Sequence, residues 1–479
     1  MSVAGGAGRG EWGNRVLFQS HNGFSRLLGI AGAVLALATG LDAVAQTVSH
    51  SPAVPTTRNV TSTAAPERPT QVSVAAEGRE FNEAAREALI AALLADAKRV
   101  GVSHDTIIRV LSGIERDPDV AGFTAAQTEH ERTTGQYVTL LVSPERIALG
   151  RARAKEVMPT LVEIEERFGV DRYTLAGLWG VETRYGVSTG KRSVIRALAT
   201  LAMEDQRRAT FWRSELLQAL LIVERGDIEP EALVGSWAGA MGQTQFMPST
   251  FNRFAIDADG DGRRDLWQST ADALGSAANY LVHSGWRRGE GWGFEVELPQ
   301  GFDYALADPA KMRPLTFWQL SDVAPAGGRE WPSSSLEHRL LLPAGAMGPA
   351  FLVNGNFAAL LRYNPAVSYA LTVAYLGDML AGHAALLTPW PDEPGLSRSD
   401  RVELQRRLAG MGYDIGDVDG IIGSLTRAAI RSYQVSSGLA ADGHPGAGLL
   451  ARLRAGEADP QDGSALGVPV AGTEAGDAE

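Results

Sequence analysis

The sequence predicts a mainly α-helical protein, and three observations carry that expectation. Apolar residues recur at i, i+3, i+4 and i+7 through most of the stretch from Phe81 to Thr388. Strand-like runs are confined to a Pro- and Gly-rich interval between Gly291 and Val353. After a short linker at Pro389–Gly395, helical spacing resumes in a compact unit of about 60 residues, punctuated by Asp-Gly turns.

Composition narrows the class further. Of 479 residues, 44% are hydrophobic and 21% charged, ordinary for a globular protein with a sizeable core. A formal net charge of -12 with no Lys/Arg-rich tract argues against a nucleic-acid partner. With 0 Cys there is no disulfide, thiolate metal site, Cys nucleophile or lipid-modified N-terminal Cys, and an oxidising compartment is suitable. The eight His show no ligand-spaced cluster, which speaks against a metal-dependent amidase or peptidase.

At the N-terminus, Arg15 and Arg26 precede an apolar run from Leu27 to Leu41 that ends in Ala43-Val44-Ala45. This pattern describes a signal peptide, residues 1–45, cleaved after Ala45 for export to the periplasm. An uncleaved inner-membrane anchor is the alternative, although a spanning helix needs about 20 apolar residues. Residues 46–78 are Ser/Thr/Pro/Ala-rich and read as a disordered linker, as does the tail at 457–479.

The elements then follow in order. Glu80–Ser112 reads as one or two amphipathic helices, and Val157, Leu161, Ile164 and Phe168 form the next stripe, with Pro159 a kink or late start. Phe211, Leu217, Leu220 and Leu221 mark another helix. Leu274, Ala277 and Leu281 mark one ending near Gly285-Trp286, and Tyr369, Val373, Leu376 and Leu380 mark the last of the large domain. Gly293–Leu298 and Arg339–Leu342 look like short strands.

The most informative stretch is Tyr173-Thr-Leu-Ala-Gly-Leu-Trp-Gly-Val-Glu-Thr-Arg-Tyr-Gly186. Asp171 can cap this helix and Gly186 can stop it. Leu175, Leu178, Trp179 and Glu182 share one buried face, so an acid stands where the pattern calls for another Leu. Burial disfavours the charged form, and a carboxyl that keeps its proton near neutral pH is what general acid catalysis requires. Pairing with Arg184 or another cation is the structural alternative.

A second motif is Ser236-Trp-Ala-Gly-Ala-Met-Gly-Gln-Thr-Gln-Phe-Met-Pro-Ser-Thr250. Its glycines permit close backbone approach, and Ser236, Gln243 and Gln245 offer hydrogen bonds suited to hydroxyl and acetamido groups. It holds no carboxylate, whereas most glycosidases pair two acids across the scissile bond. A third motif, Asp257-Ala-Asp-Gly-Asp-Gly-Arg-Arg-Asp-Leu-Trp-Gln268, sets Asp257, Asp259 and Asp261 at positions 1, 3 and 5 of an EF-hand-type loop. The Arg263 carbonyl and Asp265 fall at 7 and 9, but Gln268 replaces the bidentate carboxylate expected at 12, which lowers the affinity for calcium.

These motifs together resemble the lytic murein transglycosylases of the B type over residues 79–388. The resemblance implies a lysozyme-like helical catalytic domain acting on peptidoglycan glycan strands, no required cofactor, and one structural calcium ion at the Asp257 loop. By position it implies Glu182 as the catalytic acid and then base, with Ser236, Gln245, Tyr137, Tyr280, Tyr363, Asn364 and Tyr369 as substrate-binding residues. It also implies cleavage of the MurNAc-β-1,4-GlcNAc bond to a 1,6-anhydromuramyl end. Residues 397–456, with Val402, Leu404, Leu408, Gly416-Asp-Val-Asp-Gly420, Ala429, Ile430, Gln434 and Asp442-Gly443, resemble the three-helix peptidoglycan-binding domain of cell-wall hydrolases. The expected protein is a monomer, with cell-wall synthesis or division proteins as candidate partners. A lysozyme-like muramidase and a non-catalytic wall-binding scaffold are the competing readings.

Overall fold

The computed structural model describes residues 83–120 and 132–456. The expected signal peptide, the 46–78 linker and the 457–479 tail lie outside the described residues. Helices α1 (Glu83–Val100), α2 (His104–Leu111), α3 (Thr134–Leu141), α4 (Pro144–Glu156), α5 (Met158–Phe168) and α6 (Arg172–Thr183) come first. Strand β1 (Arg192–Ser193) leads into α7 (Val194–Glu204) and α8 (Ala209–Glu224), and pairs with β2 (Val234–Gly235) ahead of α9 (Pro248–Phe254) and α10 (Thr270–His283). A four-stranded antiparallel sheet follows, formed by β3 (Gly293–Glu297), β4 (Ala324–Pro325), β5 (Arg339–Leu341) and β6 (Ala350–Val353) in the order β4-β3-β6-β5. Helix α11 (Leu315–Leu320) lies between its first two strands in sequence, and α12 (Gly355–Tyr363) and α13 (Val367–Ala381) complete the large domain.

The expected helices and the two expected strands are present, with Pro159 in the first turn of α5. The central strand β6 is absent from the sequence reading because all four of its residues are buried, so it shows no polar alternation. Its register sets Leu352 opposite both Phe294 and Leu340.

Two large apolar cores fill most of the large domain, with a smaller third at the sheet and α11 built on Val296, Trp318, Leu340 and Leu352. One gathers α1, α2, α7, α8 and the loop from Leu233 to Met247, and the other gathers α3 to α6, α10, α12 and α13. Tyr280 and Tyr363 pack against both, so they mark the seam. Helix α6 runs beside that seam and is buried on every side from Thr174 to Thr183. Its N-terminus is capped as expected, Asp171 accepting the N–H of Thr174 at 2.7 Å.

What allows α6 to sit so deep is a close backbone approach to α13. A methyl group added at Gly177 would meet the Val373 carbonyl, and one at Gly377 would lie 2.9 Å from the Tyr173 carbonyl. Each glycine therefore clears room for the opposite backbone. Overpacking of this kind costs about 1–3 kcal/mol or more.

The C-terminal module packs α14 (Arg398–Gly410), α15 (Ser424–Ser436) and α16 (Ala447–Gly456) around Leu404, Leu408, Ile430, Leu450 and Leu453. Two buried glutamines hold its Asp-Gly turns. Gln405 accepts from Gly420 N–H at 2.7 Å, and Gln434 accepts from Gly443 N–H at 2.9 Å while donating to Asp442. The segment expected as a linker lies packed on the large domain, with Trp390 set against the second core and Glu393 hydrogen-bonded to His444 of the module at 2.7 Å.

Gly177→Ala is expected to lower stability by about 3 kcal/mol despite the higher helix propensity of Ala. A denaturant midpoint matching the wild type would contradict the close approach.

Candidate active site

Glu182 lies next to the end of the buried run of α6 and is 7% exposed. Burial raises its carboxyl to about 8, partly opposed by a short hydrogen bond donated by the Tyr369 hydroxyl from α13. No cation of the described residues forms an ion pair with it, and Arg184 is exposed, so the structural alternative of a Glu182–Arg184 pair does not occur. Other buried carboxylates here are filled by protein donors. Glu215 accepts the N–H and hydroxyl of Ser249, Glu295 accepts the N–H groups of Leu387 and Thr388, and Asp272 accepts three backbone N–H groups. Glu182 has Tyr369, a group that holds the carboxyl without neutralising it.

Three tyrosines sense this acid. Burial and then the Glu182 charge raise the phenols of Tyr137, Tyr363 and Tyr369. Tyr363 and Tyr369 stack with centroids 6.4 Å apart and planes 7° from parallel, and Tyr363 donates to the Thr244 carbonyl at 2.5 Å. Tyr280 packs edge-on against Tyr363 at 5.0 Å and donates to the Arg362 carbonyl at 2.6 Å. The α12–α13 turn thus presents a tyrosine on each side of Asn364.

Asn364 is 1% exposed. Its Oδ1 accepts the Ala366 N–H at 3.1 Å, while its Nδ2 finds no partner. Tyr137 Oη, Trp179 Nε1 and Thr244 Oγ1 are likewise buried without partners. Orphaned buried donors are rare enough in native proteins to call for a reason. Here two of them stand on tyrosine- and asparagine-bearing turns expected to meet substrate. Trp179 lies one helical turn before Glu182, and Thr244 carries the carbonyl that accepts from Tyr363. The sequence reading took Trp179 only as an apolar residue and passed over Thr244. Their place beside two glutamines and one turn from the acid was the available signal.

The second motif reaches the acid through its backbone. Thr183, next to Glu182, donates to the Gln243 carbonyl at 2.7 Å and accepts the Gly186 N–H at 3.0 Å. Gln245 adopts a left-handed φ of 51° and donates to the carbonyls of Thr189 and Gly242, at 3.1 and 2.8 Å. Ser236 Oγ accepts the N–H groups of Ala238 and Ala240. Both side chains therefore brace the loops that flank Glu182.

The helix end differs from expectation. Gly186 does not stop α6 alone; Arg184 and Tyr185 precede it with φ of 53° and 61°. Two consecutive left-handed non-glycine residues cost about 1–2 kcal/mol each. The Tyr185 ring is held against Gly150 and Gly180, where any side chain would collide with it, and its hydroxyl donates to the Arg146 carbonyl at 3.2 Å. Packing thus maintains the strained turn beside the acid.

At the acidic loop, the carboxylates that converge are Asp257, Asp259 and Asp272, their oxygens within 4.8 Å of one another. The expected set was Asp257, Asp259, Asp261, the Arg263 carbonyl and Asp265; Asp272 is an addition to it. Asp265 accepts the N–H groups of Trp267 and Gln268, and Asp261 that of Arg263, just as Asp257 accepts those of Gly260 and Gly262 and Asp259 that of Asp261. Asp272 escaped notice because it lies on α10, beyond the loop motif. The 4.8 Å spread compares with about 4.6–5.2 Å for two ligands across one calcium ion, and the Asp272 oxygens also accept three backbone N–H groups.

A buried lone acid in a strained helix end, flanked by tyrosines and backed by a glycine-rich loop, defines a glycan-cleaving class of enzyme. Residues 85–378 match the transglycosylase SLT domain model, and the chain belongs to that family; residues 397–453 match a peptidoglycan binding domain model. The chain is 33% identical over 253 residues, 51% of its length and 67% of the relative's, to membrane-bound lytic murein transglycosylase B of Escherichia coli strain K12. Among solved structures, SltB3 of Pseudomonas aeruginosa superposes with a TM-score of 0.74 at 46% identity, covering 77% of this chain and 99% of that one. It was crystallised with NAG-anhNAM-pentapeptide and with NAG-NAM-pentapeptide. Escherichia coli lytic transglycosylase Slt35 in complex with calcium gives a TM-score of 0.52 at 28% identity, covering 65% of this chain and 97% of that one. The chain is a lytic transglycosylase.

Tyr369→Phe removes a donor that favours the ionised carboxylate, so the Glu182 pKa is expected to rise above about 8. Hydrogen bonds to charged groups contribute about 1.5–3 kcal/mol, or roughly one to two pH units. The alkaline limb of the kcat–pH profile should move upward by that amount; a downward move would contradict the assignment.

Proposed function

We propose that this enzyme cleaves the MurNAc-β-1,4-GlcNAc bond of peptidoglycan without water, leaving a 1,6-anhydromuramyl end. The observation that carries the proposal is Glu182: buried, with a pKa near 8, and hydrogen-bonded to Tyr369. At neutral pH such a carboxyl is mostly protonated. It donates that proton to the glycosidic oxygen as the C1–O bond breaks, and the GlcNAc side departs as an alcohol. The muramyl 2-acetamido group stabilises the developing positive charge at C1, in place of a second carboxylate. Glu182, now ionised, accepts the proton of the C6 hydroxyl on the same sugar while O6 bonds to C1. The acid is regenerated, and no water is consumed. Because the attacking hydroxyl is tethered, its effective molarity replaces the positioning a second acid would supply.

The remaining residues take binding roles. Tyr137 and Asn364 carry unpartnered donors for substrate oxygens. Tyr280 and Tyr363 form an aromatic wall toward the sugar rings, the buried Tyr369 backs them against Glu182, and Ser236 and Gln245 shape the glycine-rich loop beside them. Cleavage after Ala45 would deliver the enzyme to the periplasm, and the module at 397–456 would hold it on the wall, raising its effective concentration there.

Glu182→Gln is expected to fold normally and lose about 10²–10⁴-fold or more in turnover. Mass spectrometry of muropeptides released by the wild type should find anhydro ends; reducing ends would indicate a water-using muramidase instead. The same variant carries a stability signature. Folding holds off ionisation of Glu182 between its ordinary value of 4.5 and about 8, so the wild type loses stability as pH rises through that window. The Gln variant should not, and its thermal midpoint should exceed the wild type's above pH 8.

Calcium, if bound, would be held by Asp257, Asp259 and Asp272, tying the acidic loop to the start of α10. Its contribution would be structural. Millimolar calcium is then expected to raise the thermal midpoint relative to chelator, and Asp272→Asn to abolish the difference. Equal midpoints in calcium and chelator would exclude the site.

A further inference from the structure

The segment from Leu387 to Leu396 touches three parts of the molecule in succession. At its start, the buried Glu295 carboxylate accepts the N–H groups of Leu387 and Thr388 at 2.9 and 2.8 Å, fixing it to β3. In the middle, Trp390 lies on the first turn of α3. A methyl group at Gly135 would stand 2.8 Å from Trp390 Cβ and 2.9 Å from its ring, so the glycine leaves room for the indole. The far side of Trp390 faces Phe351 of the central strand, with centroids 6.5 Å apart. Next, the Glu393 carbonyl accepts from Gln136 Nε2 at 3.4 Å, a long contact, while its carboxylate meets His444 of the C-terminal module at 2.7 Å. Gln136 also closes the capping box of α3 with Thr133. The module is held at a second point, where Asp442 accepts the Ala346 N–H at 2.7 Å.

Helix α3 is short, running from Thr134 to Leu141, and Tyr137 is in its first turn. Its entry is thus gripped by the residues around which Trp390 and Glu393 lie. Tyr137 is also the one tyrosine of the site, among the described residues, whose hydroxyl has no protein partner to hold it. Tyr280, Tyr363 and Tyr369 are each pinned by a hydrogen bond; Tyr137 depends for its place on where α3 sits.

We propose that residues 387–396 are a strap that seats α3, and that Trp390 and Glu393 are positioning residues acting on the reaction through Tyr137. This rests on the reading of Glu182 and Tyr137 as members of the active site. The strap places the C-terminal module and the substrate-binding Tyr137 on one continuous stretch of contacts. Anchoring of the module at His444 therefore also steadies Tyr137. Misplacement of a positioning group by about 1 Å can cost about 10²-fold in rate.

The test uses the full-length enzyme on a soluble tetrasaccharide of alternating N-acetylglucosamine and N-acetylmuramic acid, short enough that wall affinity does not enter. Trp390→Ala is expected to lower kcat about tenfold with little change in KM, and Trp390→Phe to restore most of it. Gly135→Ala approaches the same contact from α3, and should lower kcat although Ala favours a helix, which covers the case of a Trp390→Ala protein that fails to fold. In a Tyr137→Phe background, Trp390→Ala should cost little further, because both act through one hydroxyl. Full additivity of the two losses overturns the strap, as does a wild-type kcat for both Trp390→Ala and Gly135→Ala while Tyr137→Phe is slow. A wild-type kcat for Tyr137→Phe or Glu182→Gln overturns instead the site reading beneath it.

Discussion

The backbone contact between α6 and α13 is the constraint on which the site depends. Gly177 and Gly377 each face the other helix's main chain, and that approach brings Glu182 and Tyr369 into hydrogen-bonding range across 187 residues of sequence. Were the helices at an ordinary separation of 8–10 Å set by larger side chains, the acid would have solvent or a gap beside it. Its pKa would relax toward that of an exposed Glu. The raised proton affinity of Glu182 is therefore a consequence of helix packing, and the Tyr369 hydroxyl moderates it.

Around this pair the protein maintains unfavourable features through packing. The carboxyl is desolvated, Arg184 and Tyr185 occupy left-handed conformations, and four polar atoms near the helix and its flanking turns lack partners. Each costs stability, and each is surrounded by elements that leave no alternative: Tyr185 locked between Gly150 and Gly180, Thr183 tied to Gln243, and Tyr363 tied to Thr244. Strain and unsatisfied donors concentrated at one place are the usual mark of a site whose missing partners come from substrate. The tyrosines at the seam between the two cores extend that site across the domain.

Much of this was legible in the chain. The Asp171 cap, the acid on an apolar helix face, the helical stripes and the three-helix module each follow from local spacing, and the structure contains them. Strand β6 was not legible, since a short strand buried on both faces shows no alternation. Nor was Asp272, which enters the acidic cluster from a neighbouring helix, nor the packing of Trp390 in what composition presents as a linker. The tyrosines came from resemblance to a family, because a tyrosine at helical spacing reads equally well as core.

By itself, then, the sequence determined several of the helices, the capped start of α6, and that this helix carries an acid where a Leu belongs; α3, α4, α7, α9, α11 and α12 were not marked. These are properties of neighbouring residues, set by backbone hydrogen bonding and a 3.6-residue period. Only the tertiary structure decided how deeply Glu182 is buried, that Tyr369 is its partner, and that the strap lies against α3. Those outcomes depend on volume and backbone separation between elements far apart in the chain, which no local pattern records.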